Sequence, residues 1–228
     1  MIKHVFLDLD DTILDFHKAE DAAIEKTMRA FSIPVTAESK AVYSRINKDC
    51  WEALERGEIT RRELRLLRFE RFFAEIGCDC DAARAPATYE GYLAQGHYFM
   101  PGAQALLEAL YPQYGLYLAT NGIAAVQAGR VASAGIGKYF KERFVSEEIG
   151  YNKPSVEYFE ACFKRIDDFK KEEAVIVGDS LTSDIKGGIA VGIKTVWYNP
   201  CGKAASTDLL PTAEISSLAE LVGVLEKM

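Results

Sequence analysis

Two periodicities alternate along this chain. Val5-Phe6-Leu7, Gly115-Leu116-Tyr117-Leu118-Ala119, Ala174-Val175-Ile176-Val177 and Thr195-Val196-Trp197-Tyr198 are short apolar runs bounded by polar or turn residues. Such runs predict strands buried on both faces. The first is expected over residues 3–10, and Phe144-Val145 is a shorter candidate. Elsewhere the spacing is helical. Ile24, Met28 and Phe31 fall at i, i+4 and i+7, and Leu66, Phe69, Phe73 and Ile76 at i, i+3, i+7 and i+10. Both are amphipathic stripes that core packing explains. From residue 15 to 96 the texture is helix after helix, punctuated by Pro34 and Gly57, with no strand. Further helices are predicted from Pro101-Gly102 to about Leu110, after Gly122 to about Ala134, over Val156–Ile166, after Ser180 to about Val191, and over Ser216–Lys227. Strands alternating with helices imply βαβ units, a parallel sheet and right-handed crossovers.

The 228 residues suffice for one large core, or a core plus a smaller domain. A net charge of -7 argues against an extended nucleic-acid surface. No apolar run reaches the roughly 20 residues that span a bilayer, and no secretory pattern precedes the first strand. A cytoplasmic protein without membrane partners is expected. The five cysteines, Cys50, Cys78, Cys80, Cys162 and Cys201, show no disulfide framework. Free thiols are expected, since no second Cys/His pair completes a metal site with Cys78-Asp79-Cys80.

The polar residues after these strands change the picture. The first strand runs into Asp8-Leu9-Asp10-Asp11-Thr12, the second into Thr120-Asn121-Gly122, and a later one into Gly178-Asp179-Ser180 with Asp184 following. In a parallel sheet these ends share one edge, where open α/β folds place ligands. Asp11 alone reads as a cap. Lys153 sits between the second and third of these ends in sequence. Asp8, Asp10, Asp179 and Asp184 carry up to four negative charges, and like charges about 4 Å apart repel by roughly 4 kcal/mol at an effective dielectric near 20. Lys153 offsets one charge. A divalent cation offsets two more, and carboxylates with no His or Cys suit Mg²⁺ rather than zinc. Such a site would bind phosphate. One carboxylate facing it can act as nucleophile, and a second, two residues on, can protonate the leaving oxygen.

Asp8-Leu9-Asp10-Asp11-Thr12, Thr120-Asn121-Gly122, Lys153-Pro154 and Gly178-Asp179-Ser180-x-x-x-Asp184 resemble the four ordered motifs of the haloacid dehalogenase superfamily. The resemblance implies an α/β fold: a Rossmann-like, doubly wound parallel sheet from residues 1–14 and 97–228, with a helical cap of subfamily I inserted at 15–96. It implies an aspartyl-phosphate intermediate, with Asp8 as nucleophile and Asp10 as general acid/base. Thr120 and Lys153 would bind the phosphoryl group, with Asn121 and Gly122 beside them. Asp8, the backbone carbonyl of Asp10 and Asp179 would hold Mg²⁺, with Asp184 in or near its shell.

Within the cap, Asn47-Lys48-x-x-Trp51 and Gly57-x-Ile59-Thr60-x-x-x-Leu64-x-x-x-Arg68-Phe69 resemble bacterial members that act on pyrimidine 5'-monophosphates. The implied partner is a small-molecule phosphate ester, bound by a monomer or homodimer. Trp51 has two readings, a platform for a base or cap core. Arg61, Arg62, Arg65, Arg68 and Arg71 read as a solvated basic face, with Glu58/Arg62 and Arg71/Glu75 spaced to pair. Tyr89, Tyr92, His97, Tyr98 and Phe99 either line the cleft or pack the return to the core. Sugar-phosphate phosphatase, mutase and metal-free dehalogenase chemistries stay open, as does a non-catalytic phosphate-binding module; Asp10 favours phosphoryl transfer over dehalogenation.

Overall fold

The computed structural model describes residues 1–204 and 208–228. Strand β1 (His4–Leu7) is followed by four helices, α1 (Phe16–Ala30), α2 (Ala37–Glu55), α3 (Arg61–Glu75) and α4 (Ala85–Leu93). Then come α5 (Ala103–Leu110), β2 (Gly115–Thr120), α6 (Ala124–Ala134), β3 (Glu142–Val145), α7 (Ser146–Ile149) and α8 (Val156–Phe163). The chain continues through β4 (Ala174–Gly178), a π-helical turn over Leu181–Ile185, α9 (Lys186–Val191), β5 (Lys194–Tyr198), β6 (Ala213–Ile215) and α10 (Leu221–Leu225).

The six strands form one sheet in the order β3-β2-β1-β4-β5-β6, every pair parallel. β1 lies at the centre, and the chain winds outward from it first to one side and then to the other. Alternation along β1 explains the three layers. Val5 and Leu7 join Leu116, Leu118, Val175 and Val177 on one face, under Leu106, Leu107 and Leu110 of α5 and Leu221 and Leu225 of α10. Phe6 joins Tyr117, Ala119 and Ile176 on the other, against Tyr158, Phe159, Cys162 and Phe163 of α8. Val5, Phe6 and Leu7 are fully buried. Each such side chain contributes roughly 1.5–3 kcal/mol of burial energy, enough to pin a four-residue strand at the centre of the sheet.

Helices α1–α4 build a separate apolar cluster from Ile24, Met28, Tyr43, Ile46, Cys50, Phe69, Phe72, Phe73 and Tyr89. Local signals set their ends. Asp15 caps α1 by accepting from the Lys18 amide, and Thr36/Ser39 and Thr60/Glu63 form capping boxes at α2 and α3. Ile123 and Val126, at the start of α6, belong to the same cluster, so α6 touches both the sheet and the helices.

Several expectations are corrected. β1 stops at Leu7 rather than residue 10, because the chain turns there, with Asp11 at φ 55 and an Asp11 amide bonded to Leu14. Pro101 stands outside α5, whose N-cap is Gly102 at φ 80, a left-handed conformation suited to glycine. β6 is short and presents Glu214 outward, which hid it from an apolar-run reading. The terminal helix is a 3₁₀ turn, Leu218–Glu220, leading into α10. On α3, Leu66 is exposed, and the buried stripe is Leu64, Arg68, Phe69, Phe72 and Phe73.

Cys78 and Cys80 form a disulfide, their Cα atoms 5.4 Å apart and so within bridging reach, whereas Cys50, Cys162 and Cys201 are free as expected. No helix among the described residues is long and apolar enough to cross a membrane.

Candidate active site

The sheet order makes β1 the point where the winding direction reverses, and the crevice at its C-terminal end is where such folds bind ligands. The register pairs Leu7 with both Leu118 and Val177, so Asp8, Thr120 and Asp179 leave the sheet at one edge. The Asp8 amide continues the ladder by donating to the Val177 carbonyl at 3.0 Å.

Lys153 reaches this edge from the segment after α7. It is 1% exposed, and its Nζ donates to Asp8 Oδ1 at 2.7 Å, Asp184 Oδ1 at 2.6 Å and the Ala119 carbonyl at 2.7 Å. Asn121 sets its position. The Asn121 Oδ1 accepts from the Lys153 amide and its Nδ2 donates to the Lys153 carbonyl, both at 2.8 Å. The side chain expected at the phosphate is therefore occupied in holding the lysine backbone.

Gly178 supplies space. A Cβ there would lie 2.1 Å from Asp184 Oδ2, so only glycine lets Asp184 fold back from the π-helical turn onto the end of β4. The Ser180 amide then donates to Asp184 Oδ2 at 3.2 Å. π turns of this kind recur at functional sites.

One ammonium does not neutralise this edge. Carboxylate oxygens of Asp8, Asp179 and Asp184 all lie within 4.8 Å of one another. Burial pushes the Asp8 carboxyl well up; Lys153 opposes this, and Asp184, Asp10 and Asp179 reinforce it. Burial likewise pushes Asp179 up to about 7, with Asp184 and Asp11 adding to the effect. Burial alone would lower the Lys153 ammonium, but Asp184 and Asp8 more than compensate and hold it above its ordinary value. The Asp179 carboxylate has no hydrogen-bond partner among the described residues, although its carbonyl is fixed by the Trp197 indole N–H at 2.9 Å. Surplus negative charge, an unpartnered carboxylate and an all-oxygen donor set fit a hard divalent cation.

Asp10 faces away from that cluster. Its Oδ2 accepts from Gln127 Nε2 at 2.8 Å, and its Oδ1 accepts from Arg130. Its side chain is therefore not part of the carboxylate cluster of Asp8, Asp179 and Asp184. Gln127 Nε2 also donates to Thr120 Oγ1 at 2.8 Å. Gly122 admits Gln127, since a Cβ at Gly122 would lie 2.3 Å from its Nε2. Asp11 receives the Phe16 amide at 2.9 Å beside the start of α1, a capping contact. Neither Gln127 nor Arg130 stood out in the sequence. The available signal was a polar pair at i, i+3 among the apolar residues of α6, one turn after Thr120-Asn121-Gly122.

A cavity of about 400 Å³ extends from Asp10, Asn121, Gly122 and Ser180 to Trp51, Asn47, Lys48 and Glu55 of α2. Trp51 is half-buried: it packs on the helical cluster and also lines the cavity. Asn47 is spent within the protein, donating to Glu20 at 2.7 Å and accepting from Arg68 at 3.1 Å. The Glu55 carboxylate has no hydrogen-bond partner among the described residues, and burial raises it, with Lys153 opposing.

The solvated basic face on α3 holds at Arg62 and Arg71, which are exposed, and is corrected at Arg61, Arg65 and Arg68. Arg68 is 1% exposed, stacked 4.8 Å from the Tyr89 ring and paired with Glu90 at 3.2 Å; Arg65 also pairs with Glu90. Arg61 reaches across to Ser146 Oγ at 2.6 Å and Asn152 Oδ1 at 2.7 Å. The spaced partners pair elsewhere, Glu58 with Arg56 two residues before it and Glu75 with Arg45 of α2. Tyr89, Tyr92, His97, Tyr98 and Phe99 do not line the cavity. Tyr89 and Tyr92 pack in the helical cluster and Phe99 on the sheet core, whereas His97 and Tyr98 are exposed.

This geometry matches known proteins. The family model of the haloacid dehalogenase-like hydrolases matches residues 2–192. HAD-hydrolase YfnB of Bacillus subtilis is 41% identical over 97% of this chain and 94% of its own length. The pyrimidine 5'-nucleotidase PynA of Streptococcus pneumoniae is 39% identical over 99% of this chain and 95% of its own. The crystal structure of YfnB bound to magnesium superposes with a TM-score of 0.93 at 41% identity, covering 98% of each chain.

Proposed function

This chain belongs to the haloacid dehalogenase-like hydrolases, and on that footing we propose that it is a Mg²⁺-dependent nucleoside 5'-monophosphate phosphatase that prefers pyrimidines. The observation that carries the reading is the cavity joining the strand-end site to Trp51. It has the strand-end residues Asp10, Asn121 and Gly122 among its walls together with the Trp51 ring. The helical unit at residues 15–96 serves as the cap, because the strand-end residues grip only the phosphoryl group and discrimination must come from what covers the leaving group. PynA, a pyrimidine 5'-nucleotidase, supports the substrate class.

Asp8 attacks phosphorus and becomes phosphorylated, while Asp10 delivers a proton to the departing ribose oxygen. Asp10 then takes a proton from water as that water attacks phosphorus, releasing phosphate and restoring Asp8. Lys153 and Thr120 hold phosphoryl oxygens. Asp8, the Asp10 carbonyl, Asp179 and Asp184 would hold Mg²⁺, which supplies positive charge against the phosphate and the carboxylates.

Assays of UMP, dUMP, dTMP, purine monophosphates and hexose phosphates with and without EDTA test the reading. A sugar phosphate as best substrate overturns the nucleotidase assignment. Full activity in EDTA points to metal-free dehalogenation, checked by chloride release from 2-chloropropionate.

Trp51→Ala should raise KM for UMP by roughly ten- to a hundredfold, the worth of one stacked base at about 1–3 kcal/mol, and leave p-nitrophenyl phosphate turnover nearly unchanged. Equal losses on both substrates make Trp51 a packing residue.

Proton and metal should compete at Asp179. A carboxyl raised to about 7 retains, in the metal-free fold, a proton that the unfolded chain releases at its ordinary value of 3.8. That contribution to stability is present at low pH and lost as pH rises through about 7. Mg²⁺ needs the ionised form. Its stabilising shift in melting temperature is therefore expected to be larger at pH 8 than at pH 6; an equal or reversed difference contradicts this.

A further inference from the structure

We propose that Gln127 and Arg130 are positioning residues for Asp10, fixing its carboxyl group beside the phosphoryl site and tying it to both chain crossings between sheet and helices. The inference rests on Asp10 being the general acid/base of the proposed phosphatase.

Each Asp10 oxygen has its own donor: Oδ2 takes Gln127 Nε2 at 2.8 Å and Oδ1 takes Arg130 Nη1. Two donors on separate oxygens fix both the rotamer and the tilt of the carboxyl plane. The same Gln127 nitrogen donates to Thr120 Oγ1 at 2.8 Å, so one amide spans the acid and the residue proposed to hold the phosphoryl group. Gln127 and Arg130 lie at i, i+3 on one face of α6, and Arg130 Nη1 also donates to Gln127 Oε1 at 3.3 Å.

Arg130 has no exposure to solvent, and among the described residues Asp10 is its only ion-pair partner. Its remaining contacts are at the two crossings. Nε donates to the Gly96 carbonyl at 3.1 Å, where the chain returns from α4, and the guanidinium lies 5.7 Å from the ring of Phe16, where the chain enters α1. A buried arginine is costly to desolvate, and a backbone carbonyl and an aromatic ring at the crossings do not neutralise its charge as the Asp10 carboxylate does. Its use is explained if the orientation of the acid matters to the chemistry. Positioning of this kind acts on proton transfer, since a carboxyl free to rotate spends little time aimed at the leaving oxygen.

The balance is the one given above: the Asp10 proton goes to the leaving oxygen as its bond to phosphorus breaks and the Asp8–phosphorus bond forms. A leaving group that is already a weak base needs this proton least. The test is therefore kcat/KM, which reports steps up to departure of the leaving group, for an aryl phosphate series from p-nitrophenyl to phenyl phosphate with the Mg²⁺-loaded full-length protein. In Gln127→Ala, and separately in Arg130→Ala, kcat/KM should fall on the order of a hundredfold for phenyl phosphate and less than about tenfold for p-nitrophenyl phosphate. Gln127→Ala also keeps the test informative if Arg130→Ala fails to fold. Adding Gln127→Ala to Asp10→Asn should cause no further change in leaving-group dependence, because proton delivery runs through Asp10, whatever uniform loss follows from its contact with Thr120. An unchanged leaving-group dependence in the single variants, or a further change in it in the double variant, overturns the positioning role. Failure of wild-type protein to hydrolyse any phosphate ester would instead defeat the phosphatase reading beneath it.

Discussion

Asp8→Asn is expected to reduce phosphate-ester turnover by at least about a thousandfold, as loss of a covalent nucleophile does, while the protein remains folded. Asn is nearly the same size as Asp and keeps an oxygen to accept from Lys153. It also removes one charge from a cluster that already holds too many. The Asp8 carboxyl is pushed well up by burial, with Asp184, Asp10 and Asp179 adding to this against Lys153. A carboxyl raised in the fold costs stability increasingly as pH climbs above its ordinary range. The variant should therefore melt at or above the wild-type temperature near pH 8 in the absence of metal. Steady-state assay and thermal melting on one preparation check both halves. Near-wild-type turnover by a folded Asp8→Asn protein sinks the nucleophile assignment.

Lys153→Met should abolish activity and also destabilise. The ammonium is shared between Asp8 and Asp184 and completed by the Ala119 carbonyl, with all three groups buried or nearly so. Removing one partner of a buried ionic network leaves uncompensated charge and costs about 3–5 kcal/mol. The pH dependence identifies the cause. A lysine whose folded value is raised stabilises at every pH below its unfolded value and loses that effect only as pH rises through the folded one. Acid therefore does not erase the lysine's own contribution in the wild type. In the variant, acid protonates the stranded carboxylates, so its deficit should be largest near pH 8 and shrink toward pH 5. Urea unfolding at several pH values measures this. A deficit that does not vary with pH would indicate lost packing rather than lost charge.

The chain by itself determined the central strands and the chemical character of the edge at which they end, but not β6. Val5-Phe6-Leu7, Leu116–Ala119 and Ala174–Val177 announce buried strands because short apolar runs bounded by turn residues fit strands covered on both faces. The residues that follow each run are carried to one edge by parallel pairing alone, so Asp8, Thr120 and Asp179 were legible without coordinates. Capping signals such as Thr60 with Glu63 are likewise local and visible. Tertiary structure decided whatever depends on partners distant in sequence. Arg68 carries the same charge as its neighbours on α3, yet it is buried because Glu90, Asn47 and Tyr89 surround it. Asn121 reads as a phosphate ligand until its side chain is seen clasping Lys153, 32 residues away. Asp10 meets Gln127 and Arg130 from 117 and 120 positions away, and no spacing rule spans that distance. A periodic pattern reports which face of an element turns inward; which groups meet there, and so how each charge is met, is set only when the elements pack.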